Sequence, residues 1–205
     1  MTTKEKILEV SLKLFSEKGY SNVFVSEIAS AVGIKAPSLY KHYKNKQEIF
    51  DNCIDVFYER MQKMTSAFSF LELSPDEISP GITVEAFLEM TKQVFLFHLT
   101  DEVAASLRKI LSIERYGNPA LNTIYEELFL DEPIRYETEL FRQLMAAGVL
   151  KPCDPKVLAY RYYSPIFFLL TKYDMHLCDK QQALAELEQL SRDLYAHYRR
   201  TTIQV

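Results

Sequence analysis

Four lysines and a histidine, Lys35, Lys41, His42, Lys44 and Lys46, lie in a stretch from residue 28 to 47 that holds no acidic residue. Cations at this spacing suit phosphate oxygens, and Ser38 and His42 between them can hydrogen bond to base edges. The alternative is a solvated charged helix face, which short basic runs often are. The element that carries these residues separates the two readings. Ser26 is an N-cap residue by type, and Ile28, Ala29 and Val32 follow at helical spacing. Gly33 suits the left-handed stop of that helix, and Ile34 turns inward after it. Pro37 fits the first turn of a new helix, with Leu39 and Tyr43 facing the core. Ser38, Tyr40, Lys41 and His42 then face outward. The pattern predicts a helix-turn-helix, whose second helix has the form that enters a DNA major groove.

Charge is distributed to match. Residues 1 to 50 carry eight lysines against five glutamates, a net +3, and the remainder carries −7. An acidic chain with a basic amino-terminal end implies a local nucleic-acid footprint and excludes a wholly basic binder.

Around this motif the periodicity is helical throughout, so the fold class is all-α. A first helix is expected over residues 3 to 18, capped by Thr2 or Thr3, with Ile7, Leu8, Leu12 and Phe15 on one face. A long helix from Asn45 and Lys46 to about Leu73 buries Ile49, Phe50, Cys53 and Phe57. LSPDEISPG reads as a loop. Further helices are expected from Thr83 to about Leu99, from Asp101 to Gly117, and from Asn118 to Ala147 with a kink at Pro133. The last two run at about 154–174, with Pro165 inside, and 180–200. The total is nine.

The motif residues also carry a specific likeness. KILEVSLKLFSEKGY, IASAVGIKAPSLYKHYKNK and the helix that follows, from Thr3 to about Phe50, resemble the DNA-binding domain of the tetracycline-repressor (TetR) family. The resemblance implies an amino-terminal three-helix domain at residues 1–46 and a larger helical domain at residues 47–205 that binds a small-molecule effector and dimerises. It implies a ligand-responsive transcriptional regulator, a repressor, that acts as a homodimer on a pseudo-palindromic double-stranded operator. Thr3, Lys4 and Ser26 would touch the DNA backbone at the flanks. Lys35, Lys41, Lys44 and Lys46 would attract phosphates, and Ala36, Pro37, Ser38, Tyr40 and His42 would meet the groove. One departure stands out: Lys35 occupies a position where the family often has a capping Ser or Thr. The competing function is a small-molecule-binding protein whose head docks another protein.

For residues 51 to 205 a plain bundle and a ligand-enclosing bundle both fit the pattern. Phe57, Met61, Met64, Phe68, Phe87, Phe95, Tyr125, Phe129, Tyr163 and Phe167 would line an apolar or aromatic cavity, or fill core. His98, Arg108, Glu114 and Tyr136 are the polar candidates that would orient a ligand. In the last helix Leu184, Leu187, Ser191, Leu194 and Tyr198 form a stripe suited to association through the last two helices, or to packing within the chain.

Enzymatic and metal chemistry find no support. No nucleotide-binding glycine motif, GxSxG or HExxH occurs. His98 with Glu102, and Asp51 with Asp55, are four apart, but no third ligand is evident. Neither cofactor nor metal is expected. Cys53, Cys153 and Cys178 form no CxxC pair, as in a reducing cytosol. Charges break up the amino-terminal apolar residues, and the longest apolar stretch falls short of a membrane span. A cytoplasmic protein is expected.

Overall fold

A computed structural model describes residues 1–66, 84–174 and 179–200. Residues 67–83, where the loop and Phe68 were expected, and Cys178 lie outside them. Thr2 opens the first helix, α1 (Thr3–Lys18). Its hydroxyl accepts from Glu5 N at 3.2 Å, while Glu5 accepts from Thr2 N at 2.8 Å. Two otherwise unpaired donors of the first turn are thereby satisfied.

Helix α2 (Val25–Val32) ends at Gly33, which takes the left-handed conformation at φ 84°. Its N-cap is Phe24 and makes no side-chain bond; Ser26 is already inside the helix. The expected Ser26 cap is therefore corrected: extended backbone at Phe24 starts the helix two residues earlier. Helix α3 (Ala36–Leu39) is a single turn after Lys35, which supplies no side-chain cap. Turns then carry the chain to Tyr43, whose N–H donates to Leu39 O at 3.1 Å. Asn45 caps α4 (Lys46–Thr65), accepting from Glu48 N at 2.8 Å.

The described residues divide into two compact units, Met1–Lys63 with Asp101–Glu126, and Met64–Thr100 with Glu127–Val205. In the first, α1 packs on α2 and on α6 (Glu102–Glu114), and α6 packs on α7 (Pro119–Glu126). Phe15, Tyr20 and Phe50 form an aromatic triangle with centroids 5.0 to 6.1 Å apart. Ile28, Ala29, Leu39, Tyr43 and Ile49 are buried in the same unit. Each large apolar side chain so buried contributes roughly 1.5–3 kcal/mol.

The second unit holds α5 (Val84–Thr100), a π-helical turn (Glu127–Asp131), α8 (Glu132–Ala146), α9 (Pro155–Tyr173) and α10 (Lys180–Tyr198). Helix α9 is central, with α5, α8 and α10 packed on it. The break expected at Pro133 begins before the proline, in the π turn. Pro133 has no N–H to give Phe129 O, and that carbonyl accepts instead from Tyr163 Oη of α9 at 2.8 Å. Because α7, the π turn and α8 succeed one another without a gap, the described residues contain nine helical runs and no strand. No helix among them is long and apolar enough to cross a membrane.

Candidate nucleic-acid interface

The outer surface of the helix-turn-helix is built by what its inner surface buries. Leu39 and Tyr43 are fixed inside, so the turn between them presents Tyr40, Lys41 and His42 to solvent, with Lys35, Pro37 and Lys44 exposed at its ends. Ala36 and Ser38 are half-buried, and Thr3, Lys4 and Ser26 are exposed. Lys4 also lies over the Tyr43 ring, 5.3 Å from its centroid. Burial pushes the Tyr43 phenol up to about 12, so it remains a neutral core ring.

Lys46 departs from the expectation. Its Nζ donates to Tyr20 O at 2.7 Å and Val23 O at 2.9 Å and sits 4.4 Å from the Tyr20 ring centroid. Burial lowers its pKa. These bonds make it an internal brace of the α1–α2 connection. Backbone carbonyls two loops away gave no signal in the sequence.

Glu114 was read as a candidate ligand group. The structure places its carboxylate on the same connection, accepting from Ser21 N at 3.1 Å and from Ser21 Oγ. A side chain at Gly19 would put its Cβ 2.7 Å from Glu114 Oε1. An acid in the last turn of a helix opposes the helix dipole. That local mismatch was the clue to a partner elsewhere.

Phe57, Met61, Arg108 and Tyr125, the other ligand candidates in this unit, are buried or half-buried, with Arg115 stacked 3.9 Å from the Tyr125 centroid. A half-open cleft of about 380 Å³ runs along α1, α4 and α6, with Leu8, Leu12, Cys53 and Val56 on its floor. Burial pushes the Cys53 thiol up to about 12, which leaves it without thiolate reactivity. Cys153 is exposed.

The second unit brings four of its candidates together. His98 lies 6.4 Å from Phe129, Tyr163 bonds Phe129 O, and Phe167 lies 6.0 Å from Tyr163. Phe87 and Phe95 are packed into the core, Met64 is half-buried, and Tyr136 is exposed. Thr91, Glu137 and Tyr162 were not singled out by the sequence reading. Thr91 Oγ1 and Tyr162 Oη share a hydrogen bond of 2.8 Å in the core. Glu137 stands in the buried stripe Ile134, Leu140, Phe141 and Leu144. An acid at helical spacing inside an apolar stripe was the signal that marked it.

Residues 7–53, which take in the turn and its basic surface, match the family model of bacterial regulatory proteins, tetR family. By this head, the chain is similar to the tetR family. The tetR-family head is 43% identical over 60 residues to IcaR of Staphylococcus epidermidis, the biofilm operon HTH-type negative transcriptional regulator, covering 27% of this chain and 32% of IcaR. AcrR of Shigella flexneri, an HTH-type transcriptional regulator, is 31% identical over 109 residues, covering 53% of this chain and 47% of AcrR. The chain thus spans from a third to just under half of these relatives. The fold likeness extends over the whole chain. SmeT of Stenotrophomonas maltophilia, solved with triclosan, superposes with a TM-score of 0.71 at 20% identity, covering 100% of this chain and 95% of SmeT.

Proposed function

We propose that this chain is a ligand-responsive transcriptional repressor. Residues 1–46 read double-stranded DNA, and residues 47–205 bind a small-molecule effector and dimerise. The observation that carries this reading is the basic outer surface of Lys35, Tyr40, Lys41, His42 and Lys44, with half-buried Ser38 among them, on a buried helix-turn-helix frame. The lysines neutralise phosphates, Ser38 and His42 meet base edges, and exposed Ser26, Thr3 and Lys4 flank them on the DNA backbone. IcaR, a negative regulator, supports repression, and triclosan on SmeT supports an apolar or aromatic effector. The effector acts through its differential affinity for two states of the chain. The site of action is the cytoplasm.

DNA upstream of the chain's own coding sequence is the probe for a mobility-shift assay. A Lys35→Ala, Lys41→Ala, Lys44→Ala triple variant is expected to flatten the slope of log K against log salt by up to about 3, at roughly 0.9 per phosphate contact. An unchanged slope would remove these residues from the interface. Lack of a shift with any upstream fragment would favour the head as a protein-docking module.

The association surface follows from exposure. Leu187, Ser191 and Tyr198 of the expected stripe are buried in their own chain and Leu194 is packed against the same core. The stripe is therefore used inside the protomer. Val157, Tyr160 and Phe168 on α9 and Leu190 on α10 are exposed by 44 to 63%, and we assign the homodimer contact to these outer faces of the last two helices. Sedimentation of a Phe168→Glu, Leu190→Glu variant is expected to give monomer where the unaltered chain gives dimer; a persistent dimer would move the interface elsewhere.

A further inference from the structure

Glu137 lies where an apolar side chain would serve stability best. On α8 it follows Ile134 by three residues and precedes Phe141 and Leu144 by four and seven, all three buried. The residue as a whole is half-buried, yet its Oε2 is shut off from solvent and has no hydrogen-bond partner among the described residues. A buried acceptor without a donor costs roughly 1–3 kcal/mol, and more when charged. The groups around it are suited to a cation. Tyr162 of α9 interacts electrostatically with the Glu137 carboxyl. Its ring lies 5.5 Å from both Phe87 and Phe141, and its hydroxyl bonds Thr91. Aromatic faces attract ammonium groups, and an ammonium supplies the donor that this carboxylate lacks. Thr91 also lines a half-open groove of about 480 Å³ along α5 and α10. Glu85, Glu89 and Glu188 outnumber Lys92 and Arg192 on that groove, so its charge favours approach of a cation.

We propose that Glu137, Tyr162 and Thr91 form a binding site for an ammonium ion carrying an apolar or aromatic body, with the ammonium on the Glu137 carboxylate and the body toward the groove that Thr91 lines. This deepens, and rests on, the reading of the larger domain as the effector-binding part. Without the ligand, burial raises the Glu137 pKa to about 8, so the carboxyl is mostly neutral at pH 7. When the ammonium arrives, the carboxyl releases its proton to solvent and the ion pair forms.

The test is calorimetric titration of the full chain with 2-phenylethylammonium chloride at pH 7, in two buffers of different ionisation enthalpy. The neutral isostere 2-phenylethanol is titrated beside it. The amine is expected to bind at least ~10-fold tighter than the alcohol, as a charge-assisted pair implies. It is also expected to release about 0.9 proton per molecule bound, the fraction neutral at pH 7 for a pKa near 8. Glu137→Gln should abolish both the preference and the proton release. Glu137→Met, which completes the apolar stripe, should do the same, and thermal melts of both variants verify folding. An amine that binds no tighter than the alcohol overturns the site, as does an amine that binds either variant as it binds the unaltered chain. The mobility shift with the upstream DNA, run in parallel, keeps the two ideas apart. An intact shift with no amine preference refutes the site alone, whereas absence of a shift refutes the regulator reading whatever the amine does.

Discussion

The two units treat a polar group inside an apolar frame in opposite ways. In the first, Lys46 turns inward, and its ammonium finds two backbone carbonyls and an aromatic face. Glu114 is held by the backbone and hydroxyl of Ser21. In the second, Glu137 enters a buried stripe and its Oε2 meets no donor among the described residues. A satisfied polar group fixes geometry, here the connection between α1 and α2 that leads into the helix-turn-helix. An unsatisfied one weakens the fold locally and is kept where binding can complete it.

The sharpest way to break this contrast is the pH dependence of stability. The Glu137 carboxyl is held at about 8 in the folded chain against an ordinary 4.5. Below pH 4.5 both folded and unfolded chains are protonated there. Between about 4.5 and 8 the unfolded chain releases the proton that the folded chain keeps. Stability from this group therefore falls as pH rises through that window and levels off above it, by about 3–5 kcal/mol in all. Denaturant midpoints measured from pH 5 to 9 should show this decline, and Glu137→Gln should flatten it. An equal slope in the variant would mean that Glu137 is solvated and comparable to the charged groups of the head.

The head is probed by removing its brace. Lys46→Met keeps the stem over Tyr20 but removes the ammonium donor from Val23 O and leaves Tyr20 O with only the Val23 N–H at 3.4 Å. We expect a loss of about 1–3 kcal/mol in urea unfolding. No loss would show that those carbonyls take water equally well and that the brace is incidental. A smaller effect is expected at the exposed end of the same connection. Ser21→Ala removes one hydroxyl bond to Glu114 but leaves the backbone bond, and should cost about 0.5–1 kcal/mol. A larger cost would place more of the head's rigidity in Glu114 than in Lys46.

The sequence by itself determined the helices, because periodicity of apolar residues and the Gly33 and Pro37 signals are local in the chain. It also determined which residues form the outer surface of the helix-turn-helix, since Leu39 and Tyr43 leave Tyr40, Lys41 and His42 no other side. Ser26 was misjudged as a cap because residue type names a good cap without saying where the backbone turns helical. What each long polar side chain does was decided only by tertiary structure. Lys46 and Glu114 reach partners far away in sequence, and no local pattern records the position of a distant carbonyl or amide. Tyr163 shows the same logic, replacing the donor that Pro133 lacks. The stripe of α10 was legible as a stripe, but whether it faced its own chain or a second copy depended on how α5 and α9 fill the space beside it. Glu137 stood in plain view at helical spacing. Only the packing of α8 against α9 showed that its Oε2 is shut off from solvent beside Tyr162.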